Sequence, residues 1–245
     1  MKSWFYAFFM TWGMYLAIPC PVPVWEENAR GKMMGCLPVI GLIPGGIWAL
    51  AAWGLPRIGC PALLQAVILA TLPWLTTGFL HLDGFMDVCD AILSRRDLET
   101  RQRILKDSRC GAFAVISMVV LGMFSVAAAS GDVIPALPLL AVPVAVRAAA
   151  ALAVLHLRPM KTSQFSGMEK PGAAVSLWLL AVLLISQALP CLAGTWSWAP
   201  LAATAVYALA CGFGYRNLDG MSGDISGFAL TLGELAGLLI AGLEG

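Results

Sequence analysis

Long apolar stretches separated by short polar connections run through the whole sequence. Their lengths approach the ~20 residues that a helix needs to cross a bilayer, and they lack the alternation of β-barrel strands. The pattern therefore predicts an all-α, polytopic integral membrane helical bundle of about seven or eight transmembrane helices, seven if the first stretch lies only in the interface. The stretches are residues 4–20, 35–56, 60–80, 111–130, 133–156, 173–193, 198–214 and 225–243.

The composition agrees with a membrane protein. Hydrophobic residues make up 60% of the chain. Charged residues make up only 12%, whereas about 25% of the residues of a soluble domain are charged. We expect residues 1–245 to form one integral membrane domain in contact with the lipid bilayer, with its active site at the polar segments 81–110 and 215–224. The net charge of +1 gives no indication of a nucleic-acid partner.

Lys and Arg concentrate in four connections that fall on one side of an eight-span bundle, residues 21–34, 81–110, 157–172 and 215–224. An excess of Lys and Arg marks the cytoplasmic side of a membrane protein. We therefore expect a multi-pass protein of the cytoplasmic membrane, with both polar segments and the active site facing the cytoplasm.

The densest acidic pattern follows the third apolar stretch. Asp83, Asp87 and Asp90 are spaced i, i+4, i+7, which places them on one face of a helix. Three carboxylates among apolar neighbours repel one another unless a cation neutralises them, and Mg²⁺ prefers such oxygens. We predict Asp83, Asp87 and Asp90 as metal ligands and His81, Asp83 and Asp87 as catalytic, against the alternatives of a solvated helix face and a histidine that only packs.

Basic residues follow the acidic pattern directly. Arg95, Lys106 and Arg109 are predicted to bind substrate, because cations near a metal site neutralise the charge of phosphate oxygens. Lys106 and Arg109 come just before the next apolar stretch, near the expected membrane surface. Acids, a metal and nearby cations are the parts that phosphoryl transfer requires.

A second polar segment precedes the last apolar stretch. It supplies Asn217 and Ser222 as predicted substrate-binding residues and Asp224 as a predicted metal ligand, although Asp224 could instead cap the last helix. The role of Asp219, an additional acid here, stays open.

Two charged residues interrupt the apolar stretches themselves. Charge is costly inside a membrane, so each suggests a function. Arg147 is predicted to bind substrate phosphate, or alternatively to pair with an acid. Glu234 could bind metal, orient a ligand or be that partner of Arg147.

Together these segments resemble the cobalamin synthase family, also called adenosylcobinamide-GDP ribazoletransferases. The resemblance spans nearly the whole chain, although members commonly carry glycine where this chain has Ala91. The matching motifs are Gly78–Asp87 with Asp90, Lys106–Gly111, and Gly220–Asp224 with Glu234.

The resemblance implies a substrate pair and a cofactor. Adenosylcobinamide-GDP and α-ribazole, or its 5′-phosphate, would give adenosylcobalamin, or its 5′-phosphate, and GMP, with Mg²⁺ as cofactor. The general base, the number of metal ions, homo-oligomerisation and assembly with other enzymes of the pathway stay open.

Two other classes are considered. A CDP-alcohol phosphotransferase also joins an alcohol to a phosphate with aspartates and Mg²⁺, but Asp83-Gly84 lacks the alanine-arginine step typical of that class. An ion-coupled transporter would place acids near the middle of its spans, whereas most acids here cluster at one end.

Overall fold

The computed structural model describes residues 2–131, 133–161, 163, 165 and 172–245. These residues form eleven α-helices, a 3₁₀ helix at Glu27–Lys32 and an isolated β-bridge between Pro159 and Met221. The α-helices are α1 (Lys2–Tyr15), α2 (Met33–Ile40), α3 (Leu42–Arg57), α4 (Ala62–Thr76), α5 (Leu80–Leu93), α6 (Leu98–Ile104), α7 (Ala112–Ala128), α8 (Ala136–His156), α9 (Ala173–Leu192), α10 (Ala199–Leu218) and α11 (Gly223–Glu244).

The all-helical prediction is confirmed, since each of the eight apolar stretches corresponds to a helix or to a pair of consecutive helices. The bounds differ by a few residues because caps and turns set them. Part of the predicted connection 157–172 lies outside the described residues.

The count of seven or eight spans is not confirmed. Among the described residues, four helical segments are long and apolar enough to cross a membrane, namely Glu27–Arg57, Ala136–His156, Ala173–Leu192 and Gly223–Glu244. The pair α4 and α5 gives a fifth if it counts as one broken span. Helices α1 and α7 have 14 and 17 residues, which is shorter than the ~20 of a full crossing.

A sharp bend separates α4 from α5. The two helix axes differ in direction by 91° across the break between Thr76 and Leu80. Gly78 and Phe79 both adopt left-handed backbone, with φ of 59° and 64°, a conformation that favours glycine and is uncommon for phenylalanine. The bend sends the acidic residues of α5 away from the direction of the apolar helix α4.

Helices α8 and α11 lie at the centre of the bundle. Helix α8 packs against α2, α3, α9, α10 and α11, and α11 also packs against α5, α7 and α10. The inward faces of both helices are rich in alanine and glycine, which let membrane helices approach closely. The amino-terminal end of α11 is thereby held against α5.

Candidate active site

The predicted acidic stripe is present on α5. Asp83 is exposed and Asp87 and Asp90 are half-buried, whereas Phe85 and Val88 on the other face are buried in the core. The i, i+4, i+7 spacing therefore does produce a polar stripe on a helix whose remaining surface packs inward.

Small residues bring α5 into backbone contact with α11. A Cβ atom added at Gly84 would lie 2.9 Å from both Cα and the carbonyl oxygen of Asp224, and one added at Gly227 would lie 3.0 Å from the carbonyl oxygen of His81. The rings of Phe85 and Phe228 stack alongside, with centroids 5.7 Å apart and planes 11° apart. Two polar segments that are far apart in sequence are therefore adjacent in space.

The carboxylates of these segments form one acidic cluster, which we define as Asp83, Asp87 and Asp224. Asp83, Asp224 and Asp90 each lie close enough to Asp87 for their negative charges to repel it, and Asp83 and Asp224 repel each other. Asp83 and Asp224 also line the same cavity, of about 160 Å³. Such a concentration of negative charge in partly buried surroundings favours a bound cation.

The acidic cluster fits a metal that also binds substrate. Within the described part of the chain, no three His, Cys, Asp or Glu side chains converge closely enough to hold a metal ion by themselves. Mg²⁺ usually keeps several waters and binds through one or two carboxylates together with substrate phosphates. The open arrangement of Asp83, Asp87 and Asp224 suits this mode of binding better than a closed cage of protein ligands.

Asp90 has a structural contact that the spacing did not indicate. One carboxylate oxygen accepts a hydrogen bond from the backbone N–H of Gly111 at 2.5 Å, and the other accepts one from Ala114 at 3.0 Å. Asp90 thus caps the amino-terminal end of α7 and ties it to α5. A side chain at position 111 would overlap this carboxylate, which explains the glycine there. The predicted metal-binding role of Asp90 stays a prediction.

Ser222, and not Asp224, caps α11. Its hydroxyl oxygen accepts a hydrogen bond from the backbone N–H of Ile225 at 3.3 Å and lies 3.4 Å from a carboxylate oxygen of Asp224. Asp224 occupies the first turn, where the helix dipole favours a negative charge. Its carboxylate therefore lies beside the acidic stripe of α5 and does not cap the helix.

A second cavity, of about 250 Å³, adjoins Asp224. Lys106, Ser222 and Gly223 line it together with Asp224, and Met160 forms part of the apolar wall. The predicted phosphate-binding Lys106 and the predicted substrate-binding Ser222 therefore meet at one opening. This cavity combines a cation, a hydroxyl and an acid at a helix amino terminus, which is a suitable environment for a phosphate with a shared metal.

Arg109 does not line either of the two cavities that adjoin Asp224. Its guanidinium binds the carboxylate of Asp107, with 2.8 Å between Nη2 and Oδ2, and these hydrogen bonds lower the pKa of Asp107 to about 2. Arg109 lines a third cavity, of about 620 Å³, with Arg96 and Arg103. It lies in the loop just beyond Lys106 but is engaged by Asp107.

Arg95 and Asn217 lie away from the two cavities that adjoin Asp224. Arg95 is exposed just beyond α5 and has a left-handed backbone, with φ of 54°. The Asn217 side chain donates to the carbonyl oxygen of Phe213 at 2.9 Å and accepts from Arg101 at 3.2 Å. Asn217 therefore links α6 to α10, and its predicted contact with substrate has no geometric support here.

Asp219 forms an ion pair with Arg158 and is not part of the acidic cluster. It ends α10 in left-handed backbone, and its carboxylate lies 2.5 Å from Nη2 of Arg158. Backbone hydrogen bonds join Met221 to Arg158 and Met160 at 2.8 and 2.9 Å. Asp219 therefore forms an exposed surface ion pair, and the backbone hydrogen bonds of Met221 hold the segment before α11.

Arg147 and Glu234 form a buried ion pair. Their side chains are 0% and 5% exposed, and Nη1 of Arg147 lies 2.8 Å from Oε1 of Glu234 and 3.2 Å from the carbonyl oxygen of Pro143. Of the alternatives for these residues, the structure shows the pairing. Nε and Nη2 of Arg147 have no hydrogen-bond partner among the described residues, and its predicted binding of substrate stays a prediction.

His81 is buried beside the acidic cluster, with 6% of the residue exposed. Neither ring nitrogen has a hydrogen-bond partner among the described residues. Its backbone carbonyl accepts from the Thr231 hydroxyl at 3.2 Å, and its ring lies beside that of Tyr15, with centroids 6.5 Å apart. His81 lines the cavity that Asp83 and Asp224 share, so the sequence correctly located it next to the acids.

Comparison with known proteins agrees with this arrangement. The family model described as Cobalamin-5-phosphate synthase matches residues 7–242. The chain is 36% identical to the adenosylcobinamide-GDP ribazoletransferase of Clostridium perfringens strain 13, over 99% of this chain and 100% of that protein. A protein of the same name from Clostridium botulinum strain Alaska E43 is 33% identical over 98% of this chain and 98% of its own length. Another, from Halorubrum lacusprofundi, is 33% identical over 87% of this chain and 87% of its own length.

No solved structure matches this chain significantly. The family match extends over both polar segments and from within α1 to within α11, and it favours neither the CDP-alcohol phosphotransferase nor the transporter considered above. It confirms the predicted resemblance and the expectation of an enzyme of cobalamin synthesis. The chain belongs to the cobalamin-5-phosphate synthase family.

Proposed function

We propose that this protein joins adenosylcobinamide-GDP to α-ribazole, or to its 5′-phosphate, and releases GMP. The observation that carries the proposal is that Asp83 and Asp224, from two distant segments, line one cavity, while Lys106 shares a second cavity with the same Asp224. Relatives that match nearly the full length of the chain carry the corresponding name. The substrates, the metal and the membrane orientation are parts of this proposal.

The reaction is a displacement at phosphorus. The 3′-hydroxyl oxygen of the ribazole ribose forms a bond to the phosphorus atom attached to cobinamide, and the bond from that phosphorus to the bridging oxygen breaks. The bridging oxygen and its electron pair leave with GMP. A carboxylate of the acidic cluster receives the hydroxyl proton, so that atoms and charge balance.

Each residue near the cavities has a proposed part. One or two carboxylates of the acidic cluster, Asp83 and Asp224 foremost, would hold Mg²⁺, with Asp87 and Asp90 next along the stripe, and Lys106 would bind phosphate oxygens of the diphosphate. When bound, Mg²⁺ neutralises the charge that develops on those oxygens. Ser222 keeps Asp224 in place by capping α11, and its hydroxyl faces the same cavity as Lys106.

The apolar helices indicate a membrane protein, and we propose the cytoplasmic membrane with the site on the cytoplasmic side. The support is the concentration of Lys and Arg in the connections next to the site. This orientation would give both cavities access to soluble nucleotide substrates without their crossing the bilayer.

A product assay tests the proposal. Purified protein in nanodiscs, supplied with Mg²⁺, adenosylcobinamide-GDP and α-ribazole, is expected to release GMP and form adenosylcobalamin in equal amounts. Asp83→Asn and Asp224→Asn are expected to lose roughly 100-fold or more in turnover. Asp219→Asn is the matched control, because it removes an acid of the same segment that is exposed and paired with Arg158. Near-normal turnover of both cluster variants at saturating Mg²⁺ would overturn the assignment.

A further inference from the structure

Two cavities of different chemistry meet at Asp224. The Lys106 cavity holds the cationic side chain of Lys106 and the hydroxyl of Ser222 beside the carboxylate of Asp224, and Leu105 and Met160 form its apolar part. The other, which we call the His81 cavity, contains His81, Ser226 and the carboxylates of Asp83 and Asp224, and the rest of its wall is mainly apolar. Its apolar walls come from α1, α2, α5 and α8 and the segment after α8, and include Tyr15, Met34, Leu37, Leu80, Val154 and Phe165.

The size and walls of the His81 cavity suit one flat aromatic group. Its volume is about 160 Å³, close to the roughly 150 Å³ of an apolar cavity that accommodates benzene. Tyr15 and Phe165 offer aromatic surfaces, which stack on or meet the edge of a planar ring. Among the described residues no Lys or Arg lines this cavity, so a diphosphate would find no cationic side chain in its wall.

His81 indicates that the occupant also carries polar atoms. Its imidazole is more than nine-tenths buried, lines the cavity, and has both ring nitrogens unpartnered among the described residues. Buried polar groups nearly always find a partner, because leaving one without a hydrogen bond is costly. A ring nitrogen or a sugar hydroxyl of a nucleoside would supply that partner.

Resting on the function proposed above, we infer that the His81 cavity binds the acceptor nucleoside, with the aromatic base of ribazole between the apolar walls and His81 hydrogen-bonded to it. The Lys106 cavity then receives the diphosphate of the donor. The two substrates then reach Asp224 through different cavities, so that the ribose hydroxyl meets phosphorus where the cavities adjoin. His81 acts here as a positioning residue for the acceptor.

Steady-state kinetics, with the concentration of each substrate varied separately, tests whether the acceptor occupies the His81 cavity and the donor the Lys106 cavity. Val154→Phe narrows the His81 cavity and is expected to raise the KM for α-ribazole about tenfold or more, with the KM for adenosylcobinamide-GDP changed less than twofold. His81→Asn is expected to raise the KM for α-ribazole several-fold with a smaller effect on kcat, and it serves as the readout if Val154→Phe fails to fold.

Val39→Phe is the matched control. It introduces the same ring into a separate apolar cavity of about 330 Å³, lined by Trp4, Cys36 and Trp178, and is expected to leave both KM values unchanged. Calorimetric titration of α-ribazole into the protein without donor is expected to show weaker binding in Val154→Phe and wild-type binding in Val39→Phe.

The outcomes separate this inference from the proposed function. A folded Val154→Phe that raises only the KM for adenosylcobinamide-GDP, or neither KM, overturns the inference while GMP release by the wild type still supports the transfer reaction. Absence of GMP release from the wild-type protein counts against the proposed function itself. Equal effects of Val154→Phe and Val39→Phe would assign the change to general damage and overturn the inference.

Discussion

The backbone of Gly84 on α5 lies directly against the backbone of Asp224 on α11, and a single added carbon at position 84 would stand 2.9 Å from Asp224 Cα and its carbonyl oxygen. This contact joins the two halves of the acidic cluster. The glycine that follows Asp83 is therefore required for close approach of two helices, and it fixes the distance between the carboxylates on either side.

Gly84→Ala is expected to push α5 and α11 apart. Overpacking of this kind costs about 1–3 kcal/mol in unfolding free energy, and the displaced Asp83 should lower turnover at least about tenfold. Gly122→Ala is the control, because a Cβ atom at that α7 position meets nothing within 4 Å. Thermal unfolding in detergent followed by circular dichroism, together with GMP release, measures both effects. Equal stability and activity in the two variants would contradict the contact.

Breaking the buried pair is expected to destabilise the bundle. Glu234→Gln leaves the guanidinium of Arg147 without its counter-charge inside the protein, and removal of one partner of a buried pair costs about 3–5 kcal/mol. Replacing both residues, as Arg147→Met with Glu234→Leu, should recover part of the loss. Denaturant unfolding of single and double variants measures this. A Glu234→Gln protein of normal stability but with a raised KM for adenosylcobinamide-GDP would instead indicate a ligand role.

Asp90 is expected to contribute to stability through its cap on α7. Asp90→Ala removes the acceptor for the N–H groups of Gly111 and Ala114, and loss of such a cap costs about 1–2 kcal/mol. Asp90→Asn keeps one of the two acceptor oxygens and should lose less stability than Asp90→Ala. If Asp90 also contributes to the metal site, Asp90→Asn will need more Mg²⁺ for half-maximal activity. Wild-type stability of Asp90→Ala would contradict the capping role.

Substitutions of Lys106 and Arg109 are expected to change the KM for adenosylcobinamide-GDP by different amounts, although the sequence predicted that both residues bind phosphate. Lys106→Gln should raise the KM for adenosylcobinamide-GDP about tenfold, because Lys106 lines the cavity with Asp224. Arg109→Gln should change that KM less, because Arg109 is paired with Asp107 and lines a different cavity. Initial rates with varied donor decide between them, and a larger effect at Arg109 would reverse the assignment.

The sequence predicted what depends on local periodicity. The apolar stretches became helices, and the spacing of Asp83, Asp87 and Asp90 placed them on one face of α5. The span count was not confirmed, because the length of an apolar stretch reveals neither the 91° bend at Gly78 and Phe79 nor the end of α1 and α7 after only 14 and 17 residues.

The sequence also could not predict which side chains would contact each other across the folded structure. Asn217 and Asp219 have the composition of a binding segment, yet their partners are Arg101 and Arg158, which no local pattern identifies. Asp90 likewise gained a capping role from a helix that begins more than twenty residues later. Pairing of Arg147 with Glu234 was one of the alternatives that the sequence left open, because two opposite charges in apolar helices can stabilise each other.

The joint capture of a divalent ion by Asp83 and Asp224 is tested most directly by Mn²⁺ binding, followed by electron paramagnetic resonance of free Mn²⁺ in the presence of purified protein. We expect Asp83→Asn and Asp224→Asn each to weaken binding at least about tenfold, the double variant to lose little more than either, and Asp219→Asn to bind as the wild type does. Wild-type affinity in either cluster variant would contradict a site shared between α5 and α11.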